Sequence, residues 1–372
     1  MKIAVPKEIK NNENRVGLVP SGVRQLSMDG HTVFVQKNAG IGIGISDEMY
    51  TEAGATILNS LEDCFDKGEM IIKVKEPQPV EIALLKPHHI LYTYLHLAAD
   101  KELTKGLMNS GATCIAYETI QYPDGSLPLL VPMSEVAGRM STQVGAMCLQ
   151  KDKGGKGILL GGVPGVRRAN VTIIGCGIAG TNAAKMAMGL GADVTCIDLS
   201  TKRLAQMDDL FDNRVTTLYS NNQNIEYAVL KSDLVIGAVL VTGAKAPKLV
   251  TKDMISKMEN GSVVVDIAVD QGGCIETCRP TTHEEPTFVV DGVVHYCVAN
   301  MPGAVPHTST YALTNVTLKH ARMIAKDGVE NSIMSDEFLR KGVNIYKGNL
   351  VYEQVAIDLE LPFTPLDAEK YL

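Results

Sequence analysis

Residues 170–200 read NVTIIGCGIAGTNAAKMAMGLGADVTCIDLS, and the order of residue types in this stretch decides the fold around it. Residues 171–174 are a short apolar, β-branched run, long enough for one buried strand. Gly175, Gly177 and Gly180 follow at once in G-x-G-x-x-G spacing, residues 181–190 are rich in the helix formers Ala and Met, and Gly191 closes that helix. Residues 193–197 make a second strand with Asp198 at its end. The first glycine permits a tight strand-to-helix turn, the second lets the backbone approach a pyrophosphate, and the third lets helix and strand pack closely. The helix N-terminus then offers unpaired N–H groups and a positive dipole end to that pyrophosphate. Asp198, 18 residues after Gly180, is placed to accept hydrogen bonds from the two ribose hydroxyls, and its charge would repel a 2′-phosphate. NAD rather than NADP is the expected cofactor. A glycine-rich surface turn is the alternative, but it leaves the ordered strand, helix, second strand and terminal acid without a reason. Cys176 reads as a filler at the variable position, not as a reactive thiol.

The chain has 372 residues, a length for two or three domains at about 150 residues each. Hydrophobic residues make up 45%, ordinary for a globular protein with a large core. The formal net charge of −7 leaves no basic face to neutralise phosphates, so nucleic acid is not expected as the main partner. No apolar run approaches the ~20 residues that span a bilayer. The start, MKIAVPKEIK, turns polar after Val5 and lacks the apolar core of a signal peptide, so no membrane association is expected. The eight cysteines form no C-x-x-C pair, and Cys274 and Cys278 have only His283 nearby as a further ligand. Reduced, buried thiols in a cytoplasmic protein, with no metal, are the expectation.

Ahead of the fingerprint, strands are expected at 2–5, 32–36, 70–75, 90–95 and 113–117, with helices at 21–28 and 47–53 and a glycine-rich loop at 39–46. Alternating strands and helices imply βαβ units and a parallel sheet, so the first ~130 residues read as one α/β domain. Residues 134–150 read as a helix with Ser134 as its N-cap, and a glycine-rich loop at 151–166 leads into the nucleotide fold. Further strands are expected at 215–219, 234–240, 263–269, 288–290 and 293–298, separated early on by helices at 202–209, 225–231 and 251–259. A long helix at 308–326 stops at Asp327-Gly328, and residues 332–372 read as mainly helical and packed back on the first domain. The expected architecture is α/β, with two Rossmann-like, doubly wound domains. An NAD domain, 131–307, is inserted between the two parts of a substrate domain, 1–130 and 308–372, through long helices.

In a doubly wound sheet the ligand crevice lies at the carboxyl ends of the strands. In the second domain those ends carry Val239 and Leu240, then Ile267, Ala268, Val269 and Asp270, then Val298, Ala299, Asn300 and Met301. Polar residues at strand ends facing an interdomain cleft are the candidates for chemistry: Arg15, Lys75 and His96 in the first domain, Asp270 in the second. Each has a plainer explanation. Arg15 sits in a polar loop where surface arginines are common, and Lys75 has an ion-pair partner beside it in Glu76. His96 shares a strand face with Tyr92 and Tyr94 and can be a satisfied structural histidine. Asp266, read as lying mid-strand, needs a buried partner. Met133 and Met301 lie next to these candidates.

The segments KEIKNNENRVGLVP, VQKNAGIGIGI, VKEP, LYTYLHLA, the 175–198 fingerprint, DIAVDQGG and VANMPGAVPHTST occur in that order. Together they resemble the alanine dehydrogenase family over essentially the whole chain. The resemblance implies that Arg15 binds the substrate carboxylate, that Lys75 binds substrate, and that His96 and Asp270 are catalytic. It implies cofactor contacts at Ser134, Ile178, Ala179, Asp198, Arg203, Ser220, Val239, Leu240, Ile267, Ala268, Val269, Asp270, Arg279, Val298, Ala299, Asn300 and Met301, beside the fingerprint glycines. Position 203 is often lysine in the family. The resemblance further implies L-alanine, pyruvate and ammonium as substrates and products, and a homohexamer. The NAD-binding component of proton-translocating transhydrogenase is similar but carries no substrate pocket, and intact Arg15, Lys75 and His96 argue against it. A non-catalytic NAD sensor would not need that set, and a saccharopine-type dehydrogenase would need a larger pocket.

Overall fold

The computed structural model describes residues 1–239 and 246–366, apart from the side chain of Asp270. The chain divides into two compact units, Met1–Met133 with Val305–Leu372, and Ser134–Ala304. The sequence reading sets the breaks three residues away, at 130/131 and 307/308.

Along the first unit the strands are β1 (Lys2–Val5), β2 (Thr32–Gln36), β3 (Thr56–Leu58), β4 (Met70–Ile72), β5 (Ile90–Thr93) and β6 (Thr113–Ala116). The second unit follows with β7 (Asn170–Ile174), β8 (Asp193–Asp198), β9 (Thr216–Tyr219), β10 (Leu234–Gly237), β11 (Val263–Asp266), β12 (Thr287–Val290) and β13 (Val293–Tyr296). The chain returns to the first unit with β14 (Val343–Tyr346) and β15 (Asn349–Leu350).

Each unit is built on one sheet. The first sheet has the order β15-β14-β6-β5-β4-β1-β2-β3 and the second β12-β13-β11-β10-β7-β8-β9. With only the parallel strands numbered along its own chain, each unit carries the order 3-2-1-4-5-6 of a doubly wound fold; in the second unit the sixth of these is β13, and the antiparallel β12 lies outside it. The strand order reverses between β1 and β4 in the first sheet and between β7 and β10 in the second. The central strands β4, β5 and β6, and likewise β10 and β11, are buried along their whole length, as strands covered on both faces must be. Antiparallel strands, β14 and β15 on one sheet and β12 on the other, lie at the edges.

Several expectations need correction. The 70–75 strand ends at Ile72, so Lys75 stands on the loop beyond it, and the 263–269 strand ends at Asp266. The expected helix at 134–150 runs over Val131–Cys148, so Ser134 lies inside its first turns and is no N-cap. Pro132 near the start costs no hydrogen bond there, because the first helical N–H groups have no intrahelical partner. The helical run at the end spans Pro306–Ser335 and is broken at Gly328, whose φ of 77° is not helical, before it resumes. The described part of 332–372, residues 332–366, is not mainly helical: it supplies the β14–β15 hairpin, turned at Lys347 and Gly348 with φ of 47° and 82°. Positive φ at both turn residues is the two-residue hairpin geometry that matches strand twist.

The fingerprint turn needs two of its glycines on steric grounds. Gly175 has φ of 93°, which side chains avoid, and a Cβ on Gly180 would overlap the carbonyl oxygen of Gly175. A backbone carbonyl inside a strand-to-helix turn cannot rotate away. Gly180→Ala should therefore destabilise the second unit by about 1–3 kcal/mol, the range for overpacking. Urea denaturation without nucleotide checks this, and an unchanged midpoint would mean that the turn relaxes freely.

Candidate functional site

In the first unit the loop after β1, the loop after β4 and the end of β5 carry Arg15, Lys75 and His96. Two of these loops leave the sheet on either side of the strand-order reversal. Glu8 ties them together. Its Oε1 accepts hydrogen bonds from the N–H groups of Val74, at 2.6 Å, and Lys75, at 3.4 Å. Its Oε2 lies 2.9 Å from Nζ of Lys73, which also meets Glu81 Oε1 at 2.7 Å. Lys73 is fully buried, so only paired carboxylates can hold its charge there. Burial pushes the Glu8 carboxyl above the usual range despite the Lys73 charge. Burial also opposes the Lys73 charge, but Glu8 and Glu81 outweigh it and raise the ammonium pKa.

Arg15 is 2% exposed. Glu13 takes its guanidinium edge-on, with Nε donating to Oε1 at 2.7 Å and Nη2 to Oε2 at 2.6 Å. The Arg15 backbone N–H donates to the same carboxylate at 3.0 Å, and Nη1 meets Sδ of Met133 at 3.1 Å. Burial works against both charges, yet the pair holds: Glu13 is pushed below and Arg15 above its ordinary pKa. Lys75 goes the other way. Burial first, and then the Arg15 charge, push its ammonium below the usual lysine range. Thr93 Oγ1 donates to the Lys75 carbonyl at 2.9 Å, joining this loop to the end of β5.

His96 has φ of 50°, the left-handed region, and its side chain is 41% exposed. Glu118 holds the turn: its carboxylate accepts from the N–H of His96 at 2.6 Å and of Leu95 at 3.1 Å. His96 Nδ1 lies 3.9 Å from Glu118 Oε1, and the ring stacks on Tyr94 at 5.8 Å. The structure thus links Arg15, Lys75 and His96 through Glu13, Glu8, Thr93, Tyr94 and Glu118.

In the second unit the fingerprint fits a dinucleotide. The helix Ile178–Gly189 begins with Gly177, no side chain caps it, and a Cβ at Gly177 would meet only open space. Asp198 ends β8, and its Oδ2 accepts from the Cys176 N–H at 2.7 Å while Oδ1 accepts from that of Ser200 at 2.8 Å. The carboxylate that would face a ribose thus also holds the glycine turn. Arg203 packs on the same turn, with Nε on the Cys176 carbonyl and Nη2 donating to Thr181 Oγ1 at 2.6 Å. The Ser220 N–H donates to the Asp198 carbonyl at 3.0 Å, and a Cβ on Gly175 would crowd the backbone of Ala238 and Val239. Leu240 lies outside the described residues.

Asp266 ends β11 fully buried, and its partners are backbone N–H groups: Ala268 at 3.2 Å, Cys274 at 3.0 Å and Ile275 at 3.1 Å. It thereby fixes the loop that carries Ile267, Ala268, Val269 and Asp270. Arg279 lies over the Phe288 ring, 4.4 Å from its centre. Val298 bridges to Thr281, the Asn300 carbonyl accepts from His283 Nε2 at 3.2 Å, and Met301 is buried in the turn that follows. Among the described residues no three His, Cys, Asp or Glu side chains stand close enough to hold a metal, and no helix is long and apolar enough to cross a membrane.

The N-terminal domain of the alanine dehydrogenase/PNT family matches residues 4–137, and the family's C-terminal domain matches residues 141–353. This chain belongs to the alanine dehydrogenase/PNT family. A relative named alanine dehydrogenase, from Methanococcus maripaludis, is 57% identical over 373 aligned positions, which cover 100% of both chains. A solved structure titled L-alanine dehydrogenase superposes with a TM-score of 0.94 at 52% identity, covering 97% of this chain and 99% of that one. A transhydrogenase from Sinorhizobium meliloti superposes with a TM-score of 0.81 at 24% identity, over 95% of this chain and 99% of that one, and shares the fold.

For this member of the family, sequence reasoning missed Glu8, Glu13, Lys73, Glu81 and Glu118. The signal was thin: two glutamates in KEIKNNENR, and a lysine inside an otherwise apolar MIIKV run. Lys73→Met would leave Glu8 and Glu81 buried without a cation, at a cost of about 3–5 kcal/mol. Protonation relieves that repulsion. Each carboxyl raised in the folded variant adds stability below its unfolded pKa and loses it as pH rises through the folded one. The deficit against wild type should therefore shrink in acid, as urea titrations at pH 5 and pH 8 would show. An equal deficit at both would mean that the lost ion pairs are not its source.

Proposed function

We propose that this chain catalyses the reversible NAD-dependent oxidative deamination of L-alanine: L-alanine, NAD⁺ and water give pyruvate, ammonium, NADH and a proton. The observation that carries this reading is the full-length identity with a relative named alanine dehydrogenase. It is supported by a first unit whose strand-end loops hold a buried arginine, a lysine of lowered pKa and a half-exposed histidine. When bound, the nicotinamide accepts hydride from the substrate α-carbon, or returns it in the reverse direction.

The roles assigned to residues are these. The nucleotide is held by Gly175, Gly177, Ile178, Ala179 and Gly180 at its pyrophosphate and by Asp198 at its ribose. Ser134, Arg203, Ser220, Val239, Leu240, Ile267, Ala268, Val269, Asp270, Arg279, Val298, Ala299, Asn300 and Met301 line the rest. Arg15 binds the substrate carboxylate through its guanidinium, whose Nε–Nη2 edge Glu13 holds. Lys75 donates to the substrate carbonyl oxygen and polarises it. His96 takes a proton from the substrate ammonium, which frees the nitrogen lone pair that must push as hydride leaves. With Nδ1 toward Glu118, Nε2 is the atom that carries this proton. Asp270 orients the water that hydrolyses the imine. Oxidation releases a proton, so it is favoured at alkaline pH and reductive amination nearer neutrality. We further propose a closed homohexamer in the cytoplasm. The family resemblance supports the assembly, and the eight free cysteines suit a reducing compartment.

An amino-acid panel read as reduced cofactor, with NAD and with NADP, should single out L-alanine and NAD. Turnover with NADP equal to that with NAD would overturn the assignment of Asp198. His96→Ala and Asp270→Asn should each lower kcat by about 10²–10⁴-fold with NADH affinity largely kept. Near-wild-type turnover in both would move the proton chemistry to other residues. Light scattering should return about six times the 40.0 kDa chain mass, and a single-chain mass would refute the assembly.

A further inference from the structure

We infer that Glu13 is a positioning residue: it aims the Arg15 guanidinium at the substrate carboxylate and balances its charge beside Lys75. The inference rests on the substrate roles of Arg15 and Lys75 proposed above.

A guanidinium can meet a carboxylate on two edges, Nε–Nη2 and Nη1–Nη2. Glu13 takes the first with two bonds, of 2.7 and 2.6 Å, and so fixes the plane of the group, while Nη1 rests on Met133 Sδ at 3.1 Å. The same carboxylate accepts the Arg15 backbone N–H at 3.0 Å, so the side chain and the backbone that carries it are held as one piece. The Glu13 side chain is fully buried and that of Arg15 is 2% exposed, so water cannot replace the clamp. A flexible arginine would lose rotamer freedom each time substrate bound, whereas a clamped one has lost it already.

Charge balance adds to this geometry. The groups acting on Lys75 are Arg15 and Lys10, which disfavour its proton, and Glu13 and Glu76, which favour it. Glu76 is itself paired with Lys10. Glu13 is the anion paired directly with Arg15, and with Glu76 it favours the Lys75 charge. Without it, two cations would face each other at a buried site, and Lys75 would lose its proton at lower pH.

The test compares wild type, Glu13→Gln, Glu13→Asp and Arg15→Lys by KM and kcat for pyruvate and L-alanine, NADH affinity, and the pH profile of reductive amination. In Glu13→Gln the KM for both substrates should rise roughly ten- to hundredfold, the scale of a misplaced binding group. kcat should fall less, and NADH affinity should hold. The alkaline limb of the profile should move to lower pH, because the neutral amide no longer offsets Arg15 beside Lys75. Glu13→Asp keeps the charge but shortens the reach, so it should restore the limb and leave KM intermediate. A purely structural Glu13 would lower thermal stability without moving the limb or separating KM from kcat, and that result overturns the inference. Should Glu13→Gln fail to fold, Glu13→Asp decides: raised KM with intact NADH affinity supports the role, and wild-type KM refutes it. An unchanged KM in Arg15→Lys would instead refute the assignment of Arg15 itself.

Discussion

A carboxylate that accepts backbone N–H groups just past a strand end is the interaction on which this structure depends most. Chains leaving a parallel sheet expose N–H groups that the ladder no longer satisfies, and buried ones must find another acceptor. Glu8 serves Val74 and Lys75, Glu118 serves Leu95 and His96, Asp198 serves Cys176 and Ser200, and Asp266 serves Ala268, Cys274 and Ile275. Each of these loops carries, or directly adjoins, a residue assigned to substrate or cofactor. An ionised acceptor makes stronger bonds than a neutral one, which suits loops that must hold a reactive group still.

The two units share one strand order but use its reversal point differently. In the second, only residues 175–177 separate β7 from its helix, so the turn is nearly all backbone and a phosphate can reach the helix N-terminus. In the first, Val5 is followed by Pro6, and the next helix, Pro20–Met28, starts only after the loop of residues 6–19. That loop replaces the glycine turn with charged side chains, Glu8, Glu13 and Arg15. One topology thus places a backbone turn at the reversal point in one unit and a cluster of charged side chains there in the other, the cluster to which substrate binding is assigned in the proposal.

The fold was legible where local pattern and tertiary burial agree. The glycine spacing, the β-branched strands and the terminal Asp198 all carry their meaning in short windows. Elements that depend on distant partners were not legible. Thr56–Leu58 is a three-residue strand, too short for a periodicity. The β14–β15 hairpin turns on Lys347-Gly348, a weaker signal than the Asn-Gly pair usual there. Ser134 has the right chemistry for an N-cap, but the helix starts earlier, at Val131. Of the proposed site, Arg15, Lys75, His96 and Asp270 could be named from position and resemblance. The glutamates that hold three of them could not, because a glutamate in a polar loop reads as solvated until the strands that bury it are in place.

Charge balance explains why those hidden glutamates matter. Lys73 is enclosed by Glu8 and Glu81, and Arg15 is clamped by Glu13. These contacts neutralise two buried cations of the first unit before any substrate arrives. Lys75, by contrast, has its ammonium pushed below the usual lysine range, since burial and Arg15 both disfavour its charge. If substrate binds as proposed, its carboxylate on Arg15 would offset that repulsion and favour the Lys75 charge when a carbonyl oxygen is polarised. On the proposed roles, substrate binding at Arg15 and carbonyl polarisation at Lys75 are coupled through the Arg15–Lys75 repulsion. An ammonium so poised responds to its ligand, whereas one paired as tightly as Lys73 would stay charged whether or not substrate was bound.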